Sequence, residues 1–213
     1  MSLKGFLCVC YATVALAAGQ KTWAQETPDA VQGTLVACLS GQASTADGKD
    51  ALIALGWQPV ERADLSDRAV LGHAARNLVL HLSGMQASQR WASEWEHTRS
   101  NATGVRRLTS LPIDGFSFQT YQRENDPSLL EVMDDARGNL RRKTCQFVLS
   151  LETGRTLAAS LPAPSKLPTP IHTFPKRNLP GGTLQVSAYD SSRIESAIGE
   201  EFPFLAYISV VSQ

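Results

Sequence analysis

The chain has 213 residues, 43% of them hydrophobic, with 20 basic against 20 acidic side chains and four cysteines. This length suits one domain, or at most two small ones, with a core large enough that dense disulfides are unnecessary. The neutral balance argues against a general binder of nucleic acid or of anionic membranes, since both require a basic surface.

The first 24 residues have the anatomy of a secretory signal peptide. Lys4 supplies the positive start, Phe6–Ala18 is an apolar stretch of 13 residues, and Thr22-Trp23-Ala24 or Ala15-Leu16-Ala17 offers a small-residue cleavage site. Cleavage after Ala24 would leave residues 25–213, with 18 basic and 20 acidic side chains, because Lys4 and Lys21 leave and no acid does. No later stretch approaches the roughly 20 apolar residues of a membrane span. The expected location is the periplasm or the medium, where thiols oxidise. Leu35-Val36-Ala37-Cys38 has the look of a lipobox. The polar run 19–27 separates it from the apolar stretch, so acylation is not expected there.

Cys8 and Cys10 lie in the export segment, which leaves Cys38 and Cys145 as a pair. Thr27-Pro28 reads as a helix start, and Val31, Leu35, Cys38 and Leu39 then fall on one helical stripe. Thr144–Leu151 alternates as a strand, with Cys145, Phe147 and Leu149 on one face. Both sulfurs therefore sit on faces that would meet if helix packs on sheet, and a Cys38–Cys145 disulfide is expected.

A short helix over Lys49–Leu55 is expected next, capped by Thr45 or Asp47 and ended by Gly56, with Trp57 anchoring a core corner. Ser66 precedes a stripe of Leu71, Ala75, Leu78, Leu82 and Met85. Residues 77–83 also alternate like a strand, but the helical register runs longer. Ala87–Thr98 reads as a helix carrying Trp91 and Trp95 four apart.

Strands follow at Gly115–Tyr121, Leu129–Asp134 and Leu140–Leu151, the last two joined around Ala136–Asn139. Arg155–Leu161 reads as a short edge strand. Six prolines then crowd Pro162–Gly182, which reads as an irregular loop. Thr183–Tyr189, Ser191–Ile198 and Phe204–Val211 close the chain as strand, helix and strand. The fold class expected is α+β, a single domain over 25–213 with N-terminal helices packed on one face of a mostly antiparallel sheet formed by the C-terminal half.

Chemical motifs are sparse. There is no G-x-S-x-G elbow, no S-x-x-K, no P-loop and no G-x-G-x-x-G, so no cofactor is expected. His73 and His81 stand about 80° apart around a helix and do not converge, and Glu94-Trp95-Glu96-His97 fans outward, so no metal site is expected. Asp126, Asp134 and Asp135 lack the spacing of a calcium loop. Asn101-Ala102-Thr103 matches a glycosylation acceptor. Arg137, Arg141, Arg142 and Lys143 cluster at the expected hairpin tip as a candidate anion-binding or partner surface, with Asp134 and Asp135 opposite as self-neutralising charges.

These features point to an exported, non-enzymatic binding or envelope accessory module whose partner is a protein or small ligand. Two alternatives stand beside it. One is an exported hydrolase whose site is dispersed in sequence, with a histidine meeting Ser or Asp. The other is an inhibitor or structural subunit that uses the proline-rich loop.

Overall fold

The computed structural model describes residues 29–82, 90–107, 113–139, 141–158 and 167–212. The expected export segment with its expected cleavage point at Ala24, the Thr27-Pro28 start, Met85, residues 87–89, residues 159–161 and the first prolines of the run, Pro162 and Pro164, lie outside the described residues.

The N-terminal part forms α1 (Asp29–Leu39), α2 (Ala46–Ala54), β1 (Trp57–Val60), α3 (Asp67–Leu82) and α4 (Trp91–Thr103). Then come β2 (Phe116–Arg123), β3 (Asp126–Asp135), β4 (Arg142–Ser150), α5 (Leu151–Ala158), β5 (Ile171–Thr173), β6 (Arg177–Leu179), β7 (Gly182–Tyr189), α6 (Ser191–Ile198) and β8 (Phe204–Ser212). The strands make one antiparallel sheet in the order β1-β2-β3-β4-β8-β7-β5, and β6 also pairs with β7.

Local chemistry sets the element ends. Thr45, of the two candidates, caps α2 by accepting from Gly48 N at 3.1 Å. Ser66 starts α3 by accepting from Ala69 N at 3.1 Å. Asp190 does the same for α6 through Arg193 N. Residues 77–82 are helical: Leu78, Val79 and Leu82 are buried while Leu80 is exposed, the pattern of an amphipathic helix rather than a half-buried strand.

Three elements depart from the sequence expectation. Trp57–Val60, read only as a corner, is an edge strand paired with Thr120–Arg123. Pro59 is tolerated there because an edge strand has one side without partners. Residues 155–158, expected as strand, belong to α5. The strand period stops at Ser150, whose hydroxyl accepts from Thr153 N and caps a helix instead. Gly154 then lets this helix lie close on β8, since a Cβ there would come within 2.8 Å of Leu205. The proline run is also less irregular than expected. Pro170, Pro175 and Pro180 punctuate β5 and β6 from outside their paired residues, so both strands still join β7.

The helices are shared between the two faces of the sheet rather than gathered on one. α1 and α2 cover the face bearing Tyr121, Leu130, Phe147 and Ile208, while α3, α4 and α6 cover the face bearing Leu129, Val148 and Tyr207. Period-two alternation explains this, because Phe147 and Val148, or Tyr207 and Ile208, must point to opposite sides. On the first face Cys38 of α1 is bonded to Cys145 of β4. Trp57 is buried beside them, with its indole N–H donating to Thr34 Oγ1 at 2.8 Å and its ring edge-on to Phe147. On the second face Trp95, Tyr189, Phe202 and Phe204 stack edge to face with centroids 5.2–5.5 Å apart. Tyr189 Oη donates to Ala75 O at 2.9 Å and so ties β7 to α3.

The bridge closes a loop of 107 positions. Its removal by Cys38→Ala with Cys145→Ala is expected to lower stability by about 2–5 kcal/mol in urea unfolding, chiefly by freeing the unfolded chain. An unchanged midpoint would show that packing of α1 alone accounts for its position.

Candidate functional site

The β3–β4 hairpin and the end of α1 build a cleft at one end of the sheet. α1 stops at Leu39, and the chain turns through Gly41 at φ 68°, a left-handed conformation that favours glycine. A Cβ at Gly41 would also stand 3.1 Å from the Lys143 side chain, so this residue type sets the close approach of the two walls. Lys143 Nζ donates to Gly41 O at 3.0 Å and lies 3.8 Å from Asp134. Ser44 Oγ donates to the same Asp134 carboxylate at 3.1 Å. Ser40, Arg141, Arg142 and Ser212 complete a cleft of about 160 Å³.

The four basic residues picked out from sequence therefore have different situations. Arg137 is forked onto Asp135 at 2.6 and 2.7 Å and lies over Phe116. That hydrogen-bonded guanidinium, more than any other group, holds the Asp135 carboxyl below its usual range. Arg141 donates to Ala136 O and Gly138 O, the carbonyls of its own hairpin. Arg142 is exposed and stands opposite Asp135 in register. Arg141, Arg142 and Lys143 line the cleft, and Arg137 does not. Cys38 and Cys145 sit directly behind it, three residues from Gly41 and two from Lys143. Lipidation of Cys38 is incompatible with this arrangement, because its sulfur is already bonded to Cys145.

A second polar group lies on the other face and was not picked out from sequence. Glu131, in the middle of β3, is 1% exposed. Its Oε1 lies 3.2 Å from His73 Nδ1, and its Oε2 is paired with Arg76. Arg76 also donates to Gln146 Oε1 and Asn77 Oδ1, each at 3.3 Å. His73 is 2% exposed. Burial, with help from Arg76 and Arg62, lowers its pKa from 6.5 to about 3, so the ring is neutral at ordinary pH. With Nδ1 facing that carboxylate, the ring proton is assigned to Nδ1 and the acceptor role to Nε2, which has no partner among the described residues.

Among the described residues the remaining histidines do not converge on acids or nucleophiles. His81 meets His97 edge to face at 5.5 Å, and His97 Nε2 lies 3.0 Å from Asn101 Nδ2. His172 stacks on Phe174. Trp95 is buried and donates to Glu200, which also binds Arg99. Asp126 ties the ends of β3 and β4 to α5 by accepting from Ser128 N, Ser150 Oγ and Thr153 Oγ1. Arg106 is engaged by Leu65 O and Asp67. Asn101 and Thr103 are exposed on the last turn of α4. Among the described residues no three His, Cys, Asp or Glu side chains come together so as to hold a metal ion, and no helix is long and apolar enough to cross a membrane.

Comparison with protein-family models, with curated proteins and with solved structures found no match to this chain.

Two outcomes follow from the buried group. Glu131→Gln leaves Arg76 without its counter-charge and is expected to cost about 3–5 kcal/mol of stability, read by urea unfolding. The depressed His73 pKa favours the proton-free folded form. Its contribution is complete above pH 6.5 and is lost as pH falls toward about 3, because the unfolded chain takes up the proton first. Stability measured across this window should decline with acidity, and His73→Asn should remove this component of the slope.

Proposed function

We propose that the mature chain is an exported, non-enzymatic binding or envelope accessory protein, and that it docks an acidic protein surface at the cleft between α1 and the β3–β4 hairpin. The observation that carries this reading is the open cleft of about 160 Å³ with exposed Arg141 and Arg142 on its rim. Arginine offers a planar, multiply donating cation suited to carboxylates on a partner. Lys143 is tied to Gly41 and Asp134 and acts as part of the wall. The buried disulfide behind the cleft supports an oxidising destination, in keeping with the leader-like first 24 residues.

The dispersed-hydrolase alternative asks for a histidine and an acid reachable by substrate. The histidine–acid pair that does form, His73 with Glu131, carries no nucleophile: His73 Nε2 has no serine, threonine or cysteine hydrogen-bonded to it among the described residues. The loop-insertion alternative is weakened by β5 and β6, which commit the later part of the proline run to the sheet.

Two measurements test the proposal. The mass of native material should correspond to a chain beginning at Gln25 with both remaining thiols oxidised. Immobilised polyglutamate should retain the mature protein at low salt, and Arg141→Glu with Arg142→Glu should abolish that retention. Equal retention of the double variant would remove the cleft from the binding surface.

A further inference from the structure

Arg62, in the short 3-10 turn Arg62–Asp64, presents a cation without a counter-ion among the described residues. Its guanidinium carbon sits 4.1 Å from the centre of the Phe118 ring, a stacking that fixes the plane of the group. Its Nε is buried and has no hydrogen-bond partner, and its side chain makes no ion pair among the described residues. Arg62 also lies near enough to His73 and Arg76 for its charge to be felt by both. Two guanidinium groups therefore share this corner with one carboxylate. Both oxygens of that carboxylate are already used, one by His73 and one by Arg76.

The unmet hydrogen-bonding capacity here is chemically consistent. Besides Arg62 Nε, the buried atoms without partners include Arg76 Nε, His73 Nε2 and Thr120 Oγ1. Thr120 stands opposite Glu131 in register and two residues along β2 from Phe118, on the same face. The corner thus offers two N–H donors on cations, one imidazole acceptor and one hydroxyl. Buried polar groups are ordinarily hydrogen-bonded, and a partly buried cation is costly without a counter-charge. Arg76, 21% exposed, and the half-buried Arg62 are the members of this corner whose side chains reach solvent.

We propose that Arg62 and Arg76, with His73 Nε2 and Thr120, form a binding site for a small monovalent oxyanion that carries a hydroxyl. Its charged oxygens would accept from the two arginines, and its hydroxyl would donate to His73 Nε2. Dihydrogen phosphate and a hydroxycarboxylate share this chemistry. The site lies on the α3 face of the sheet and does not depend on the cleft beside α1.

The test is calorimetry and thermal unfolding of the full mature chain with phosphate and with glycolate, against chloride at equal ionic strength. Each oxyanion is expected to bind and to raise the unfolding midpoint beyond the chloride control. Arg62→Gln should weaken binding at least about tenfold, the loss of a charge-assisted hydrogen bond, while the ligand-free midpoint does not fall. Arg141→Glu with Arg142→Glu should bind as the unaltered protein does. Should Arg62→Gln fail to fold, Arg62→Lys takes its place: it keeps the charge, loses the planar fork, and should also weaken binding. Equal midpoints in oxyanion and chloride, full binding by the Arg62 variants, or loss of binding only in the Arg141 and Arg142 variant would each overturn the proposal.

Discussion

Glu131 is an ionisable side chain in the middle of an eight-stranded sheet, closed off from water, and the arrangement of the α3 face follows from its presence. A carboxylate in that position is tolerable only when both oxygens are engaged by donors and its charge is met by a cation. α3 supplies both from one face, with His73 and Arg76 three residues apart and therefore one turn apart on the helix. This pairing fixes the rotation of α3 about its axis and its position along β3. The apolar contacts of Leu78 and Leu82, and the Tyr189–Ala75 hydrogen bond, are made in that setting. Cross-strand neighbours continue the polar row, with Thr120 on one side of Glu131 and Gln146, Ser209 and Gln185 on the other.

The opposite face is organised by apolar burial and one covalent link. Cys38–Cys145 joins α1 to β4, and Trp57, Tyr121, Phe147 and Leu149 fill the space around it. A fully buried side chain of this size contributes roughly 1.5–3 kcal/mol, so several together rival the entropic effect of the bridge. The two faces thus differ in kind. One is held by generic packing reinforced by sulfur, and the other is held in register by a specific ionic contact.

Much of this architecture was legible in the residues. Cys38 and Cys145 lie within apolar stripes of opposite periodicity, 3.6 and 2, and this periodicity made their meeting inferable. The hairpin at Ala136–Asn139 and the helix through Leu82 were legible from local turn chemistry and periodicity, and Trp57 from its size and apolar character, although Thr34 and Phe147, which receive it, are distant in sequence. What was not legible depends on distant partners. β1 is four residues with a proline, and it is a strand only because β2 needs a neighbour. α5 follows from the Ser150 cap and the fit of Gly154 against Leu205, and neither shows as periodicity. The division of helices between two faces was hidden because strands buried on both sides lose the simple in–out alternation. The polar group at Glu131 was missed because its members are 55 and 58 positions apart. Its one signal was an acidic residue set inside the apolar run Leu129–Met133. Of the basic cluster, sequence could name the residues but not their separate fates, since Arg137 is consumed by Asp135 while Arg142 remains on the rim.

The order of strands carries a consequence for how the polypeptide is made. β8, the last of the described strands in chain order, lies between β4 and β7 in the sheet. Ribosomes deliver residues 142–150 well before residues 204–212, so one border of β4 waits with open amides and carbonyls until β8 has emerged. A waiting border of this kind invites pairing with other nascent chains. Arrival of β8 closes that border and gives β7 its neighbour in the same step.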